Sequence, residues 1–274
     1  GGTGRTGTHL VRRLKEDATL DVRVLARDPA KVNAVFGPAH GLQVVQGDIS
    51  SIDTWASVLD ETDIIVTMVS CGVRTDLQVL LGLRPAPSNL PYAIDYGGIA
   101  QLADAAKKHG VQRFVAVTSA STGTPWSMAG IFLNVVCCMS IKWKFFGEQA
   151  IRSSGVDYVI IRPFGLTDSP HEVDAGFGIQ YSQGRTEGTR RRIPRDDVAK
   201  LCHEALRTPA RNVTFECWKT ADHRNALPWT KLRTEPPNSI PDVNHDVAVA
   251  AVVTGVIGSL CGVTAGGAYF ARRL

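Results

Sequence analysis

The chain has 274 residues, enough for one large α/β domain or a domain with an appendage. Thirty basic residues against 26 acidic ones leave a formal charge of +4, scattered rather than striped, which excludes a nucleic-acid footprint. The six cysteines (Cys71, Cys137, Cys138, Cys202, Cys217 and Cys261) form no CxxC pair and no histidine-coupled spacing. They indicate neither a metal site nor a disulfide framework, and read as small buried hydrophobes of a reducing compartment.

The chain opens on Gly1-Gly2-Thr3-Gly4-Arg5-Thr6-Gly7, ahead of a helical run from Thr8 to Glu16. Gly1, Gly4 and Gly7, at spacing three, let a strand turn sharply into a helix and bring a pyrophosphate against bare backbone. The helix start around Arg5 and Thr6 then offers free N–H groups and a partial positive charge to phosphates. Such a loop hangs from the end of a strand, so further residues are expected to precede Gly1. Val22 to Arg27 reads as the next strand and ends in a basic residue about twenty positions after the glycines. An acidic residue there would hold the 2′-hydroxyl of NAD; Arg27 matches the 2′-phosphate of NADP, so NADP(H) is expected ahead of NAD. Arg5 could reach the same phosphate; the alternative for both arginines is a solvated surface charge.

Asp28-Pro29 starts a helix through Phe36, and Leu42 to Asp48 is a third strand. Asp48 either holds an adenine amino group or caps the helix beginning near Ser51. Ile64 to Val69 has the continuous apolar character of a buried parallel strand, and the alternation up to this point gives an α/β fold. Ser70-Cys71-Gly72 follows at the carboxyl end of that strand, the edge where open parallel sheets bind ligands, so Ser70 and Gly72 are placed against the cofactor. Arg74 to Pro91 is longer than a usual connection and suits a substrate lid or a docking surface. Asp95 to His109 is helical, and Arg113 to Ser119 is a fifth strand with Ser119 at its carboxyl end. Pro125 to Ser140 is mostly apolar yet too short to span a bilayer, and reads as a buried segment over the active-site edge. Ile141 to Ser153 is an amphipathic helix; Tyr158 to Pro163 is a sixth strand, with Pro163 at the cofactor edge, and Asp196 to Leu206 a further helix.

Trp143-Lys144, Gly147-Glu148-Gln149, Ser154-Gly155, the Tyr158-Val159-Ile160-Ile161-Arg162-Pro163 strand, Gly165-Leu166-Thr167-Asp168 and Pro194-Arg195-Asp196-Asp197-Val198-Ala199 together resemble the atypical short-chain dehydrogenases. Within them the chain is most similar to the NmrA-like, plant and cyanobacterial NAD(P)-binding branch, over roughly residues 1 to 210. The resemblance implies a Rossmann-like, doubly wound parallel sheet. In the larger family a Tyr-x-x-x-Lys helix supplies a phenol for proton transfer and a lysine that holds the nicotinamide ribose. Placing Lys144 on that lysine puts Ser140 where the tyrosine would be, and a serine hydroxyl is a poor acid or base at neutral pH. Lys144 is therefore the expected acid-base group or ribose anchor, the alternative being an exposed helix lysine. Ser119 takes the place of the serine that orients a substrate carbonyl, more fittingly as a cofactor-lining group. Tyr96 reads as packing.

Residues 1–215 are expected to form the nucleotide-binding domain and 216–246, rich in Pro and Trp, a linker. Val247 to Phe270 is 24 residues without a charge. As a helix it would be about 35 Å long, enough to cross a hydrocarbon core. A C-terminal transmembrane helix is expected, the alternative being a buried helix of a water-soluble fold. Gly258, Gly262 and Gly266 at spacing four give it a smooth face for a neighbouring membrane subunit. These features lead to two readings. One is an NADP(H)-binding accessory or assembly subunit of an organellar membrane complex, the chloroplast thylakoid ahead of the mitochondrial inner membrane, in contact with lipid and other subunits. The other is a membrane-tethered NADPH-dependent reductase of a lipophilic substrate such as a quinone, pigment precursor or isoprenoid.

Overall fold

The computed structural model of the chain describes residues 1–236 apart from 73, 81–82, 86, 169–177, 185–190 and 221–228. The uncharged run 247–270, with Gly258, Gly262 and Gly266, lies outside the described residues. Among those described, no single helix is long and apolar enough to cross a membrane.

Helix α1 (Arg5–Glu16) grows directly out of the glycine loop, three residues earlier than the periodicity of its apolar side chains suggests. Strand β1 (Arg23–Ala26), helix α2 (Pro29–Phe36) and strand β2 (Gln43–Gln46) follow, with Asp28 capping α2 through the Ala30 N–H. Beyond β3 (Ile64–Thr67) come the short α3 (Leu77–Leu80), a π-helical turn over Tyr92–Gly98, α4 (Ile99–Lys108) and β4 (Arg113–Val117). Next are α5 (Met128–Val136), α6 (Ser140–Ser153), β5 (Asp157–Pro163), β6 (Gly165–Thr167), β7 (Gly178–Ser182), β8 (Arg192–Pro194), α7 (Arg195–Ala205) and β9 (Val213–Thr220).

Strands β3, β4, β5 and β9 pair in parallel, and β7 closes that sheet as an antiparallel edge on β9. Side chains alternate across it. Phe114, Ala116, Tyr158 and Ile160 meet α4 and α6 on one face, while Val115, Val159 and Ile161 meet α1 and α7 on the other. Helices on both faces of a mainly parallel sheet are the doubly wound arrangement, with a core on each side. Two features depart from a single continuous sheet. The pairs β1–β2 and β6–β8 are each hydrogen-bonded units of their own. The boundary expected after residue 215 falls inside β9, whose Phe215 and Cys217 are buried. Trp229 and Leu232 pack on the same core and Glu235 bonds to Arg152 and Asn212, so residues 229–235 belong to this domain rather than to a linker.

A buried carboxylate ties these layers together. Glu148 of α6 is fully enclosed and accepts from Arg162 of β5 through Nε (3.1 Å) and Nη2 (2.5 Å), and from Arg152 Nη1 at 3.2 Å. It also accepts from the hydroxyls of Thr118 (2.6 Å) and Thr122 (3.0 Å). Arg152 in turn donates to Thr214 of β9 (2.7 Å) and to Glu235 (3.0 Å), which also accepts from the Tyr158 hydroxyl at 2.7 Å. Burial alone would raise the Glu148 carboxyl; the charges of Arg162 and Arg152 and the hydrogen bonds outweigh it and hold the group down from 4.5 to about 2. A carboxyl depressed on folding stabilises the fold above its unfolded value and loses that contribution as pH falls through its folded one. Urea midpoints are therefore expected to fall between pH 4.5 and about 2. Glu148→Gln, which strands two buried guanidinium groups, is expected to cost about 3–5 kcal/mol at neutral pH and to flatten that acid limb.

Candidate functional site

The glycine loop is a cradle that only glycine permits. A Cβ on Gly7 would stand 2.0 Å from the Gly1 carbonyl oxygen, and one on Gly1 2.8 Å from the Met68 carbonyl at the end of β3. Gly4 N–H closes the turn onto Gly1 O at 3.0 Å and serves as the N-cap of α1 with no side-chain hydrogen bond. The first turn, Arg5-Thr6-Gly7, carries no acidic residue. Its N–H groups and the positive end of the helix dipole thus face outward uncapped, which fits a pyrophosphate.

The arginines go to different partners. Arg27, exposed at the end of β1, lies 3.9 Å from Asp48, just past β2. Arg5 instead pairs with Asp168, which also accepts from Arg195 Nη1 at 2.6 Å at the start of α7. Arg27 thus stays beside the ends of β1 and β2, and Arg5 is turned toward the β6–α7 side. Asp48 uses its carboxylate locally: Oδ1 accepts from Ser50 N–H (3.0 Å) and Ser50 Oγ (2.7 Å), making it the cap of the turn that follows. Burial acts to raise the Asp48 carboxyl, but those two bonds and the nearby Arg27 charge hold it below its usual range.

The carboxyl edge of the sheet carries the remaining expected residues, and a residue that pattern reading passed over organises them. Asp95, on the π-helical turn, is 2 % exposed. Its Oδ1 accepts from Lys144 Nζ at 2.5 Å, and its Oδ2 accepts from the Cys71 N–H at 3.2 Å. One carboxylate therefore holds both the lysine of α6 and the Ser70-Cys71-Gly72 loop that follows β3. The approach is possible because Gly147 has no side chain: a Cβ there would lie 2.2 Å from the Asp95 carbonyl oxygen. The signal in the sequence is an acidic residue placed among apolar neighbours in Tyr92-Ala93-Ile94-Asp95-Tyr96-Gly97-Gly98.

Lys144 is mostly buried, with 11 % of its side chain exposed, so it is no surface lysine. It shares a small recess with Thr67, Asp95, Thr118 and Glu148 under the ends of β3 and β4. Ser119 caps the turn after β4 through Ser121 N–H at 3.3 Å, between two threonines whose hydroxyls reach Glu148. It lines the edge rather than presenting a free hydroxyl. Pro163 ends β5, paired with Cys217 of β9. Ser140 is buried at the first position of α6. Tyr96 is stacked on Trp143 with centroids 6.0 Å apart, inside an aromatic cluster with Tyr92 and Phe146. It packs, as its pattern suggested.

A protein-family model described as NAD(P)H-binding matches residues 1–209. Two curated relatives are chloroplastic proteins of Arabidopsis thaliana. The protein At2g34460 is 30% identical over 75% of this chain and 70% of its own length. Protein TIC 62 is 28% identical over 61% of this chain, and the match spans only 26% of that longer protein. Among solved structures, ChuY, an anaerobillin reductase from Escherichia coli O157:H7, superposes with a TM-score of 0.61 at 21% identity, covering 80% of this chain and 94% of that one. A short-chain dehydrogenase/reductase from Veillonella parvula in complex with NADP gives 0.61 at 11% identity, covering 83% and 95%. Both likenesses establish the shared fold. The cradle itself is tested by Gly7→Ala, expected to weaken NADPH binding by at least about tenfold, or 1.4 kcal/mol, in a nucleotide-fluorescence titration while the far-ultraviolet dichroism is retained.

Proposed function

The chain belongs to the NAD(P)H-binding family whose model covers residues 1–209, and from that membership we propose that it holds NADP(H) as an accessory subunit of a chloroplast membrane complex. What carries this reading is the state of the proton-transfer machinery. The position four residues before Lys144 is the buried Ser140, not a phenol, and Lys144 is itself engaged by Asp95 at 2.5 Å. A lysine held as an ion pair suits a fixed hydrogen-bond donor to ribose hydroxyls better than a group that must give up and regain a proton.

In this assignment the N–H groups of Arg5, Thr6 and Gly7 receive the pyrophosphate. Arg27 takes the 2′-phosphate, Ser70 and Gly72 lie along the nicotinamide half, and Lys144 anchors its ribose with Ser119 and Pro163 beside it. The bound cofactor would supply hydride chemistry there. Chloroplast residence is supported by the two chloroplastic relatives. Attachment to the thylakoid, and to other subunits through Gly258, Gly262 and Gly266, is supported by the charge-free run Val247 to Phe270.

A second reading, an NADPH-dependent reductase of a lipophilic substrate, is favoured by the Asp95–Lys144 pair, because a buried lysine beside a carboxylate at the cofactor edge can also serve as a proton donor. Two measurements separate the readings. Extraction in mild detergent is expected to recover the protein in a large complex, and purified protein is expected to consume no NADPH with a panel of quinones, pigment precursors and isoprenoids. A lone monomer that oxidises NADPH with one of them, and loses that turnover in Lys144→Ala, would reverse the order. Cofactor choice is tested by Arg27→Ala, expected to bring the affinity for NADPH down about tenfold toward that for NADH, the loss of one charge-assisted phosphate contact.

A further inference from the structure

Helix α5 is built inside out. Of its nine residues only Gly130 and Asn134 are buried, whereas Met128 is 76 % and Phe132 62 % exposed, with Trp126 just ahead at 49 %. The expectation of a buried apolar segment between Pro125 and Ser140 is thereby corrected, and the reason lies in what the inner side must hold. Asn134 Oδ1 accepts from the N–H groups of Ile141 (3.1 Å) and Lys142 (3.2 Å) and so caps α6. Gly130 sits where a Cβ would come within 2.7 Å of the Pro125 carbonyl. With Gly130 and Asn134 facing inward, Met128 and Phe132 are left outside while Ile131, Leu133, Val135 and Val136 are half-buried, so the outermost stripe is apolar, the reverse of an ordinary surface helix. A 99° break, with Cys138 and Met139 both at positive φ (50° and 61°), turns α5 away from the line of α6.

We propose that this outer face of α5 lies on the surface of a lipid bilayer, independently of any nucleotide at the cradle. From Phe114 to Ile141 no side chain is charged, so this part of the chain has no ion to strip of water on entering the headgroup boundary. The apolar residues are those that settle at that boundary: an indole at one end, a methionine and a phenylalanine one turn apart at the crest. The loop that meets the end of α5 carries Arg74 and Asp76, and Asp76 is paired with Arg84 at 3.1 Å, so the local balance is of the sign that anionic headgroups attract. Thr75 fastens its loop to the end of α5 through its N–H on Val136 O at 2.8 Å, and the neighbouring exposed residue is Arg74. At nine residues, about 13 Å, α5 can lie in the interface but cannot span. Beyond the described residues the chain carries its second charge-free run, Val247 to Phe270, which favours the same medium.

The full chain is to be mixed with vesicles of phosphatidylcholine and phosphatidylglycerol, with and without acyl-chain bromination. The Trp126 contribution to fluorescence is taken as the difference between wild type and Trp126→Phe. Bromination near the headgroup is expected to quench that contribution, and Met128→Ser/Phe132→Ser to lower vesicle partitioning by at least about tenfold, with NADPH affinity and thermal midpoint unchanged. Vesicle binding that leaves Trp126 unquenched would assign attachment to the 247–270 run alone and overturn the proposal. So would a Trp126 emission already shifted to the blue and insensitive to lipid, the mark of that run or a protein partner covering α5. Absence of vesicle binding by a chain that still binds NADPH would overturn it equally.

Discussion

The grip of Glu148 on Arg152 and Arg162 is the interaction on which the rest depends. A carboxylate and two guanidinium groups out of water are tolerable only as a satisfied set, and here every oxygen has charged or hydroxyl partners from three different elements. The helical repeat makes that set matter for the site: Lys144 lies one turn before Glu148, so the rotation of α6 that seats the carboxylate also seats the ammonium. Thr118 and Thr122 bracket Ser119, so the same carboxylate fixes the loop at the carboxyl end of β4. The network extends through Arg152 to Glu235, which explains why the stretch after β9 packs as domain.

The second constraint is steric. Gly147 lets α6 approach the π-helical turn until Asp95 and Lys144 meet, and widening the helix at Tyr92–Gly98 is what places Asp95 inward instead of along the α4 stripe. Asp95 then couples two parts of the edge, the Ser70–Gly72 loop and α6. A carboxylate in this role also decides what the lysine is: paired and positioned, with its charge balanced before a ligand arrives.

The elements that repeat a simple period were readable in the chain. Glycines at spacing three, apolar strands ending in small or polar residues, and the Asp28-Pro29 helix start place α1, α2 and β1 to β5 within a few residues. Lys144 was singled out as a candidate by its likeness to a family helix and Arg27 by its distance from the loop. What pattern could not show were relations across the chain. The Pro- and Trp-rich composition after residue 215 reads as a linker, yet Glu216 and Cys217 at its start are buried because β9 lies between β5 and β7. Asp95 looks like a helix-start residue until Gly147 brings Lys144 to it. Arg5 seemed free to join Arg27 until Asp168, more than 160 positions on, claimed it.

The inverted polarity of α5 lies close in sequence to the candidate site. The stretch from Ser119 through α5 to α6 runs without a charged side chain, and its two ends belong to the site: Ser119 at the sheet edge and Asn134 capping the helix that bears Lys144. In an ordinary domain Gly130 and Asn134 would face water and Met128 and Phe132 the core. Here the inner positions are taken by a cap that α6 needs and a backbone crossing that only glycine allows, and Met128 and Phe132 point out. Asn134 thus serves the site from its inner side, its Oδ1 holding the first N–H groups of the helix that bears Lys144, while Met128 and Phe132 stand exposed on the outer side of α5 and leave that face free to meet another surface.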